Sequence, residues 1–309
     1  MKNLIRARSA EFFLILLVTL LCLRPGCSLL AAPGQTGVSF LTLGVGARAA
    51  AMANAHVAVA TDATALYWNP AGLAEVKTRE IAVSHSEWFQ GIRYEFAGLA
   101  FDVGKSAVAL GFQWLYSVDK IDGRDENGNP NGDFGYYDLT YSLSLARKFE
   151  GGLSLGLTYK RITEMIDDNH ANGEALDAGL RIPTPLRGVV LAGGVQNIGR
   201  NMHFKREDFE LPRTVVGGIG LERNLPGGTL VLASDLRAPR GEDYKIHAGG
   251  EFTLHRGLSL AAGYKIGYEN ENISFGMGYA AGPLKINYSF TPFYSDLGNV
   301  QRISLYRSF

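Results

Sequence analysis

The chain has 309 residues, and its 30 lysines and arginines balance its 30 aspartates and glutamates. With no net charge and no basic run, the composition argues against a nucleic-acid partner. Glycine is frequent, at 38 residues, and tyrosine and phenylalanine together total 30, a combination that suits tight turns and interfacial aromatic belts.

Residues 1–32 are predicted to be an export signal. A positively charged start precedes an apolar stretch at 12–23 and a group of small residues. Cleavage is expected either at the alanines 31–32 or near Ser28. Lipid attachment at Cys27 is a weaker alternative, because the residues before it lack the apolar side chain that such a site usually needs.

Both cysteines of the chain, Cys22 and Cys27, lie in this predicted signal. We therefore expect the mature chain to have no disulfide, no metal thiolate and no cysteine nucleophile, and we predict no cofactor. No apolar run after residue 33 is long enough for a spanning helix. These features suit a periplasmic protein, a secreted protein or an outer-membrane barrel.

Residues 33–78 do not have the alternation of strands. The stretch 44–60 is rich in alanine and glycine, and the sequence Asn-Pro-Ala-Gly at 69–72 has turn chemistry. A piece of about 45 residues is too small to fold well alone. We therefore predict that it forms a plug, or hatch, inside a barrel.

Residues 79–309 are predicted to form short alternating strands, most of them near the length that crosses a membrane at a tilt. Fourteen strands are predicted, at 80–88, 93–103, 106–118, 136–149, 153–164, 175–182, 188–197, 213–223, 228–237, 244–254, 258–266, 272–280, 284–291 and 300–309. An even count lets both chain ends lie on one side of the membrane.

One face of several predicted strands is polar. The residues on it are expected to line the lumen of a barrel: Lys160, Lys245, His247, Glu251 and Lys285. They are expected to line a passage or to hold the hatch by ion pairs, and the alternative is that they belong to a generic polar lumen. Alternation alone also fits a soluble sandwich, whose apolar face points to its core.

The lengths of the connections favour the barrel. Tight connections are predicted at 104–105, 150–152, 183–187, 224–227, 255–257 and 281–283. The other gaps are mostly longer, at 119–135, 165–174, 198–212, 238–243, 267–271 and 292–299, and only 89–92 breaks this rhythm. Such alternation is typical of a closed, up-and-down antiparallel barrel.

Because lipid offers no hydrogen-bond partners, the last strand is expected to pair with the first. Its outward residues are then Ile303, Leu305, Arg307 and Phe309. Arg307 is tolerable on this face because it lies near the rim.

The polar stretches 123–133 and 167–170 are predicted to be solvated outer loops, since the ligand register of a helical calcium loop is absent. His170 and His203 lie in predicted outer loops with acidic residues near. No nucleophile elbow accompanies them, so we expect no enzyme activity.

Three motifs of the N-terminal part resemble the start of the PorV/PorQ family, which belongs to the FadL-like group of fourteen-stranded barrels with an N-terminal hatch. They are Phe-Leu-Thr-Leu-Gly-Val-Gly-Ala-Arg-Ala at 40–49, Ala-Thr-Asp-Ala at 60–63 and Tyr-Trp-Asn-Pro-Ala-Gly-Leu at 67–73. Weaker matches follow in the barrel, among them Asn197-Ile198-Gly199 and Leu211-Pro212. The chain departs from the family at Ala53, where glycine is usual after Met52.

The resemblance implies an outer-membrane protein whose partners are lipid and small hydrophobic molecules, which would pass through the barrel passively. The alternative is a role in type IX protein secretion or surface assembly, with a secreted protein as partner. Asn69, Pro70 and Gly72 are expected either to gate the lumen or to form a rigid turn that seats the hatch. Asp62 is expected either to pair with a lumen cation or to cap a short helix starting near Ala63.

Overall fold

A computed structural model of the protein describes residues 37–124, 127–204, 207–294 and 298–309. Eighteen strands run in chain order: β1 Glu80–Glu87, β2 Ile92–Val103, β3 Ser106–Ser117, β4 Ile121–Arg124, β5 Pro130–Phe134, β6 Tyr136–Lys148, β7 Ser154–Ile166, β8 Asn169–Pro183, β9 Val189–Gly199, β10 Met202–Phe204, β11 Glu207–Phe209, β12 Thr214–Leu225, β13 Gly228–Pro239, β14 Lys245–Leu254, β15 Leu258–Ile266, β16 Ile273–Ala281, β17 Leu284–Pro292 and β18 Asn299–Ser308. The predicted export signal and its cysteines lie outside the described residues.

Fourteen of these strands form one closed antiparallel barrel. Each strand of the barrel pairs with its neighbours in chain order, and β18 closes the cylinder on β1, with Glu80 opposite Ser308 and Glu87 opposite Gln301. Closure leaves no strand edge without hydrogen-bond partners, as a lipid environment requires. The predicted fourteen-stranded antiparallel barrel is therefore confirmed.

The barrel wall is polar inside and apolar outside. Along β7, Leu155, Leu157 and Tyr159 are exposed on the outer surface. The alternate residues Thr158 and Lys160 are fully buried. The outward side of β18 carries Ile303, Leu305 and Arg307, as predicted. Because a barrel in lipid needs an apolar exterior, this arrangement decides against the soluble sandwich.

The two rims of the barrel differ. The rim that holds both ends of the barrel sheet, here called the lower rim, has short connections, such as residues 104–105 between β2 and β3 and 282–283 between β16 and β17. The upper rim carries most of the longer connections. In outer-membrane barrels the rim with the termini and the short turns faces the periplasm.

One predicted upper loop is wrong. The stretch 165–174 is not a loop, because β7 and β8 continue their ladder to the pair Ile166 and Asn169. Only residues 167–168 turn the chain, and Asp167 has a left-handed backbone, with φ of 54°. Aspartate tolerates this conformation better than most residues, so a tight hairpin replaces the expected solvated loop.

Two further upper connections contain strands that the sequence did not predict. The connection between β3 and β6 contains the hairpin β4–β5, and the connection between β9 and β12 contains the hairpin β10–β11. The region 123–133 is thus partly a hairpin rather than an open loop. Neither hairpin joins the barrel sheet.

Residues 37–76, here called the inner segment, lie inside the cylinder. The segment has no strand, and its short helices are α1 Ala47–Ala51, α2 Ala65–Trp68 and the 3-10 turns Ser39–Thr42 and Pro70–Glu75. Among the residues that the structure describes, no helix is long and apolar enough to cross a membrane.

Glycines on the inner wall let the inner segment approach the strands closely. A Cβ atom on Gly156 of β7 would lie 2.3 Å from the carbonyl carbon of Pro70. A Cβ atom on Gly249 of β14 would lie 2.3 Å from the carbonyl oxygen of Met52. Since β7 and β14 lie far apart around the barrel, the segment fills the lumen from wall to wall.

Candidate functional site

Polar side chains of the barrel hold the backbone of the inner segment. The carboxylate of Asp235 accepts hydrogen bonds from the backbone N–H groups of His56 and Val57, at 2.6 and 2.8 Å. The amide of Gln196 donates to the carbonyl oxygens of Tyr67 and Trp68, at 2.8 and 3.1 Å. These bonds satisfy buried backbone groups that form no regular ladder, and they fix the height of the segment in the lumen.

The aromatic centre of the inner segment is tightly packed. The Trp68 ring meets the rings of Tyr67 and His56 edge to face, with centroids 4.9 and 5.8 Å apart. Burial and the nearby Arg48 charge hold the pKa of His56 well below its ordinary value, so the imidazole is neutral. This cluster forms a rigid floor for the upper half of the lumen.

Three of the four residues predicted for the hatch form one hydrogen-bonded turn. Asn69 donates to the carbonyl oxygens of Val57 and Leu180, at 3.2 and 3.0 Å. Its side-chain oxygen accepts from the N–H of Ala71, which caps the 3-10 turn that begins at Pro70. A Cβ atom on Gly72 would lie 2.0 Å from a carbonyl oxygen of the inner segment, so only glycine fits there.

Asp62 lies apart from that turn. Its carboxylate accepts a hydrogen bond of 2.8 Å from the N–H of Thr64, just before α2. Asp62 forms no ion pair with any described residue of the chain, although its charge acts on Arg48. Both of its hydrogen bonds are accepted from Thr64, and α2 itself has no side-chain cap, so capping by Asp62 stays a prediction.

The lower end of the inner segment is attached to the barrel by ion pairs. The carboxylate of Glu75 lies 2.8 Å from the ammonium of Lys148 on β6 and 3.0 Å from the guanidinium of Arg181 on β8. The sequence did not single out this acid, because nothing in its spacing predicts two cations from different strands.

The residues predicted to line the lumen divide into four groups. Glu251 holds the inner segment through Arg48, with 2.6 Å between the charged groups. Lys160 is buried in the wall, 2.7 Å from the carboxylate of Asp177. Lys285 lies on the inward-facing side of β17 in the alternation, but its side chain is exposed at the lower rim.

The other two predicted residues, Lys245 and His247, line a cavity in the upper half of the barrel. It has about 870 Å³ of empty volume, including the solvent at its mouth. The inner segment forms its floor, and its walls come from β12 to β15, β17, β18 and the upper connections. Aromatic lining residues are Trp68, Trp88, Tyr268 and Phe293, and charged lining residues are Arg237, Glu242, Lys245, Lys265, Glu271 and Arg302.

Tyr268 organises one wall of this cavity. Its hydroxyl lies 2.8 Å from Nε2 of His247, and the ammonium groups of Lys245 and Lys265 lie 4.9 and 5.1 Å from its ring centroid. Burial raises the pKa of the Tyr268 hydroxyl above its ordinary value, so it remains neutral between the two lysines. The lysines are neutralised in part by Glu271, at 2.6 Å from Lys265, and by Glu242 beside Lys245.

Sequence reasoning missed three cations of the cavity: Arg237, Lys265 and Arg302. Each has the inward parity of its strand, so the same alternation that predicted Lys245 and His247 was sufficient to place them inside. The alternation along a strand shows which side a residue faces, but it does not show how high the residue lies in the barrel. It therefore does not show that cations from four strands meet in one cavity.

The segments Asn197-Ile198-Gly199 and Leu211-Pro212 come together in the wall. Asn197 has a left-handed backbone, with φ of 58°, where the pairing of β8 and β9 shifts register. Its side chain accepts from Lys160 at 2.8 Å and donates to the carbonyl oxygen of Pro212 at 3.2 Å. These contacts give the two segments a shared structural role.

No cluster of three or more metal-ligating side chains occurs within the described part of the chain. The arrangement offers aromatic surfaces, cations and hydrogen-bond donors around an upper cavity.

A protein-family model described as "Uncharacterised protein family (UPF0164)" matches residues 31–177. No curated protein matches the chain.

Solved structures of outer-membrane channels share the fold. The CymD monoaromatic hydrocarbon channel has a TM-score of 0.65 and 13% identity, over 86% of this chain and 98% of that one. The Pseudomonas putida toluene transporter TodX has a TM-score of 0.58 and 11% identity, over 85% and 96%. A Pseudomonas aeruginosa FadL homologue has a TM-score of 0.54 and 12% identity, over 91% and 99%. At these identities the likeness shows the fold, that of FadL-like bacterial outer-membrane barrels.

Proposed function

We propose that this protein is a PorV/PorQ-type channel of the bacterial outer membrane, through which small hydrophobic molecules pass without an energy source. In this proposal, residues 1–32 are the export signal and residues 33–78 are the hatch. The observation that carries the proposal is the upper cavity with aromatic walls whose floor is the inner segment.

The path begins at the upper rim. The rings of Trp88, Phe89 and Phe293 cluster there, with centroids 5.4 to 5.9 Å apart. Trp88 and Phe293 also line the cavity, so an apolar molecule leaves the cluster directly into it. Flat aromatic surfaces bind apolar molecules and favour small aromatic ones.

Passage beyond the cavity requires the inner segment to shift. The contacts that resist a shift are the turn at Asn69, Pro70 and Gly72 and the ion pairs of Arg48 and Glu75. We propose that this turn is the gate, because Asn69 is bonded to the barrel wall at Leu180. The proposal includes no catalytic role for any residue.

The PorV/PorQ assignment rests on the motifs at 40–49, 60–63 and 67–73. The barrel fold shared with FadL-like channels supports the wider group. A role in protein secretion, the alternative that the same resemblance implies, rests on the sequence motifs alone.

A reversible cross-link tests the gate. A Cβ atom on Gly179 would lie 3.2 Å from Cγ of Asn69, so Asn69→Cys with Gly179→Cys is placed to form a disulfide. Both native cysteines lie in the predicted signal, so the new pair is expected to be the only one in the mature chain. In liposomes, we expect uptake of a hydrophobic dye to fall on oxidation and to return on reduction.

Two further variants test whether the contacts of the inner segment limit uptake. Glu75→Gln removes the ion pairs at the lower end of the inner segment and should increase uptake. Glu150→Gln, an exposed acid at the same rim, is the matched control and should leave it unchanged. Equal uptake by the oxidised and reduced double-cysteine protein would refute gating by the inner segment. Uptake no faster than in empty liposomes would refute the channel itself.

A further inference from the structure

Two buried arginines face the upper cavity with unused hydrogen-bond donors. Arg237 on β13 is 6% exposed, and its Nη2 donates to Gln196 at 2.9 Å. Arg302 on β18 is 5% exposed, and its Nε donates to the hydroxyl of Ser86 at 2.6 Å. The Nη1 atom of each has no hydrogen-bond partner among the described residues.

The unpartnered atoms of the cavity lining are mostly donors. Besides the two arginine Nη1 atoms, they are the indole Nε1 of Trp88 and the side-chain oxygen of Asn54, within the described residues. Three of the four are therefore N–H groups. A half-turn of the Asn54 amide would exchange its oxygen for a fourth donor. A ligand that satisfies this lining must be rich in acceptors.

The net charge of the cavity lining is positive. Four cations, Arg237, Lys245, Lys265 and Arg302, meet two carboxylates, and those two pair with the lysines. Neither arginine lies within ion-pair distance of a carboxylate in the part of the chain that the structure describes. Asp235, on the same face of β13 as Arg237, instead accepts from the backbone of the inner segment.

Buried guanidinium N–H groups without acceptors are costly, because they lose their hydration and gain no hydrogen bond in return. An oxyanion between the two arginines would accept hydrogen bonds from these N–H groups and would balance their positive charge. Arginine presents paired N–H donors to carboxylate and phosphate groups in a favourable planar geometry.

We propose that the upper cavity binds a small organic anion, with its carboxylate or phosphate group held by Arg237 and Arg302. The indole N–H of Trp88 donates to the same group, and the apolar body of the ligand packs on the aromatic walls. This inference names the ligand class of the cavity and extends the proposed channel, but binding can be measured without transport.

Tryptophan fluorescence of the detergent-purified full chain gives a direct readout. Trp68 and Trp88 line the cavity, whereas Trp114 lies on the outer face of the barrel. Benzoate and phenyl phosphate are the charged probes, and benzyl alcohol is the neutral probe of similar shape. We expect saturable quenching by at least one charged probe and at least about tenfold weaker binding of benzyl alcohol. The tighter charged probe identifies the oxyanion.

The contribution of the apolar body is tested by inorganic phosphate and acetate. Both should bind at least about tenfold more weakly than the matching aromatic anion. Equal affinity for the bare ion would overturn the part of the proposal that concerns the aromatic walls.

Substitution of the arginines tests the site itself. Arg237→Gln and Arg302→Gln should each weaken binding by about tenfold or more. Arg256→Gln, at an exposed lower turn, is the matched control and should not alter it. If either glutamine variant fails to give a heat-modifiable barrel, Arg237→Lys and Arg302→Lys keep the charge but lose the planar donor pair, and intermediate affinity is expected.

The proposal is wrong if benzyl alcohol binds as tightly as the charged probes, or if the folded arginine variants bind like the unsubstituted protein. It is also wrong if no charged probe saturates the signal below about 10 mM. Binding of benzoate without dye uptake in liposomes would leave the anion site intact and refute the channel. Dye uptake without anion binding would leave the channel intact and refute the anion site.

Discussion

The guanidinium of Arg48 and the carboxylate of Glu251 lie 2.6 Å apart, and the pair joins α1 of the inner segment to β14. Glu251 is nearly buried, with 8% of its side chain exposed, and Arg48 is more accessible, at 21%. Loss of one partner leaves the other charge in a poorly hydrated site.

We expect Glu251→Gln to lower the free energy of unfolding by about 3 kcal/mol. The double variant Arg48→Met with Glu251→Gln should lose at least about 1 kcal/mol less than the sum of the single variants, because neither charge then remains. Urea unfolding in detergent, followed by the mobility of the folded barrel on gels, measures all three. Additive losses would contradict a direct coupling.

Neighbouring residues of β7 provide a contrast between buried and exposed ion pairs. Lys160 and Asp177 pair inside the wall with 2% and 0% of their side chains exposed. Arg161 and Glu174 pair on the outer side with 48% and 59% exposed. We expect Lys160→Gln to cost about 3 kcal/mol or more, and Arg161→Gln to cost less than about 1 kcal/mol. Similar losses in urea unfolding would show that burial does not set the strength of these pairs.

The close approach of Pro70 to Gly156 predicts that a side chain at Gly156 disturbs the inner segment. Gly156→Ala places a methyl group against the backbone of Pro70 and should cost about 1–3 kcal/mol of stability. The substitution should also make the inner segment more accessible to added protease. Gly217→Ala is the matched control, since a Cβ atom there meets nothing within 4 Å. Equal behaviour of the two variants would argue against tight seating of the segment.

Ala53 follows Met52 in the inner segment and has a left-handed backbone, with φ of 52°. The left-handed conformation costs alanine about 1 kcal/mol. We therefore expect Ala53→Gly to change stability by less than about 0.5 kcal/mol, because relief of strain offsets the lost methyl group.

Ala49 is a matched control for this substitution, since it is equally buried but lies within α1. There, Ala49→Gly should cost about 1 kcal/mol or more. If both substitutions cost the same in urea unfolding, the backbone at Ala53 is not strained.

The barrel strands were predictable because each has one face toward lipid and one face toward a polar lumen. In β7, leucines and tyrosine alternate with serine, glycine, threonine and lysine, and this pattern has only one arrangement in a wall between lipid and a polar lumen. The same logic gave the closing pair of β1 and β18, because a membrane tolerates no open edge.

The upper connections and the cavity were less predictable for physical reasons. The turn at Asp167 depends on one left-handed residue, and polar strands beyond the membrane lose the alternation that marks them. The meeting of Arg237, Lys265 and Arg302 depends on register between strands, which alternation within one strand does not encode.

The wall-to-wall seating of the inner segment also constrains how the molecule is assembled. Pro70 rests on β7 and Met52 rests on β14, so the resting place of the segment is complete only when both halves of the sheet are present. Because β18 is the last barrel strand to be synthesised and it closes on β1, the cylinder seals only after the rest of the chain exists. Correct seating of the inner segment and closure of the seam between β1 and β18 are therefore coupled, because each needs the whole sheet.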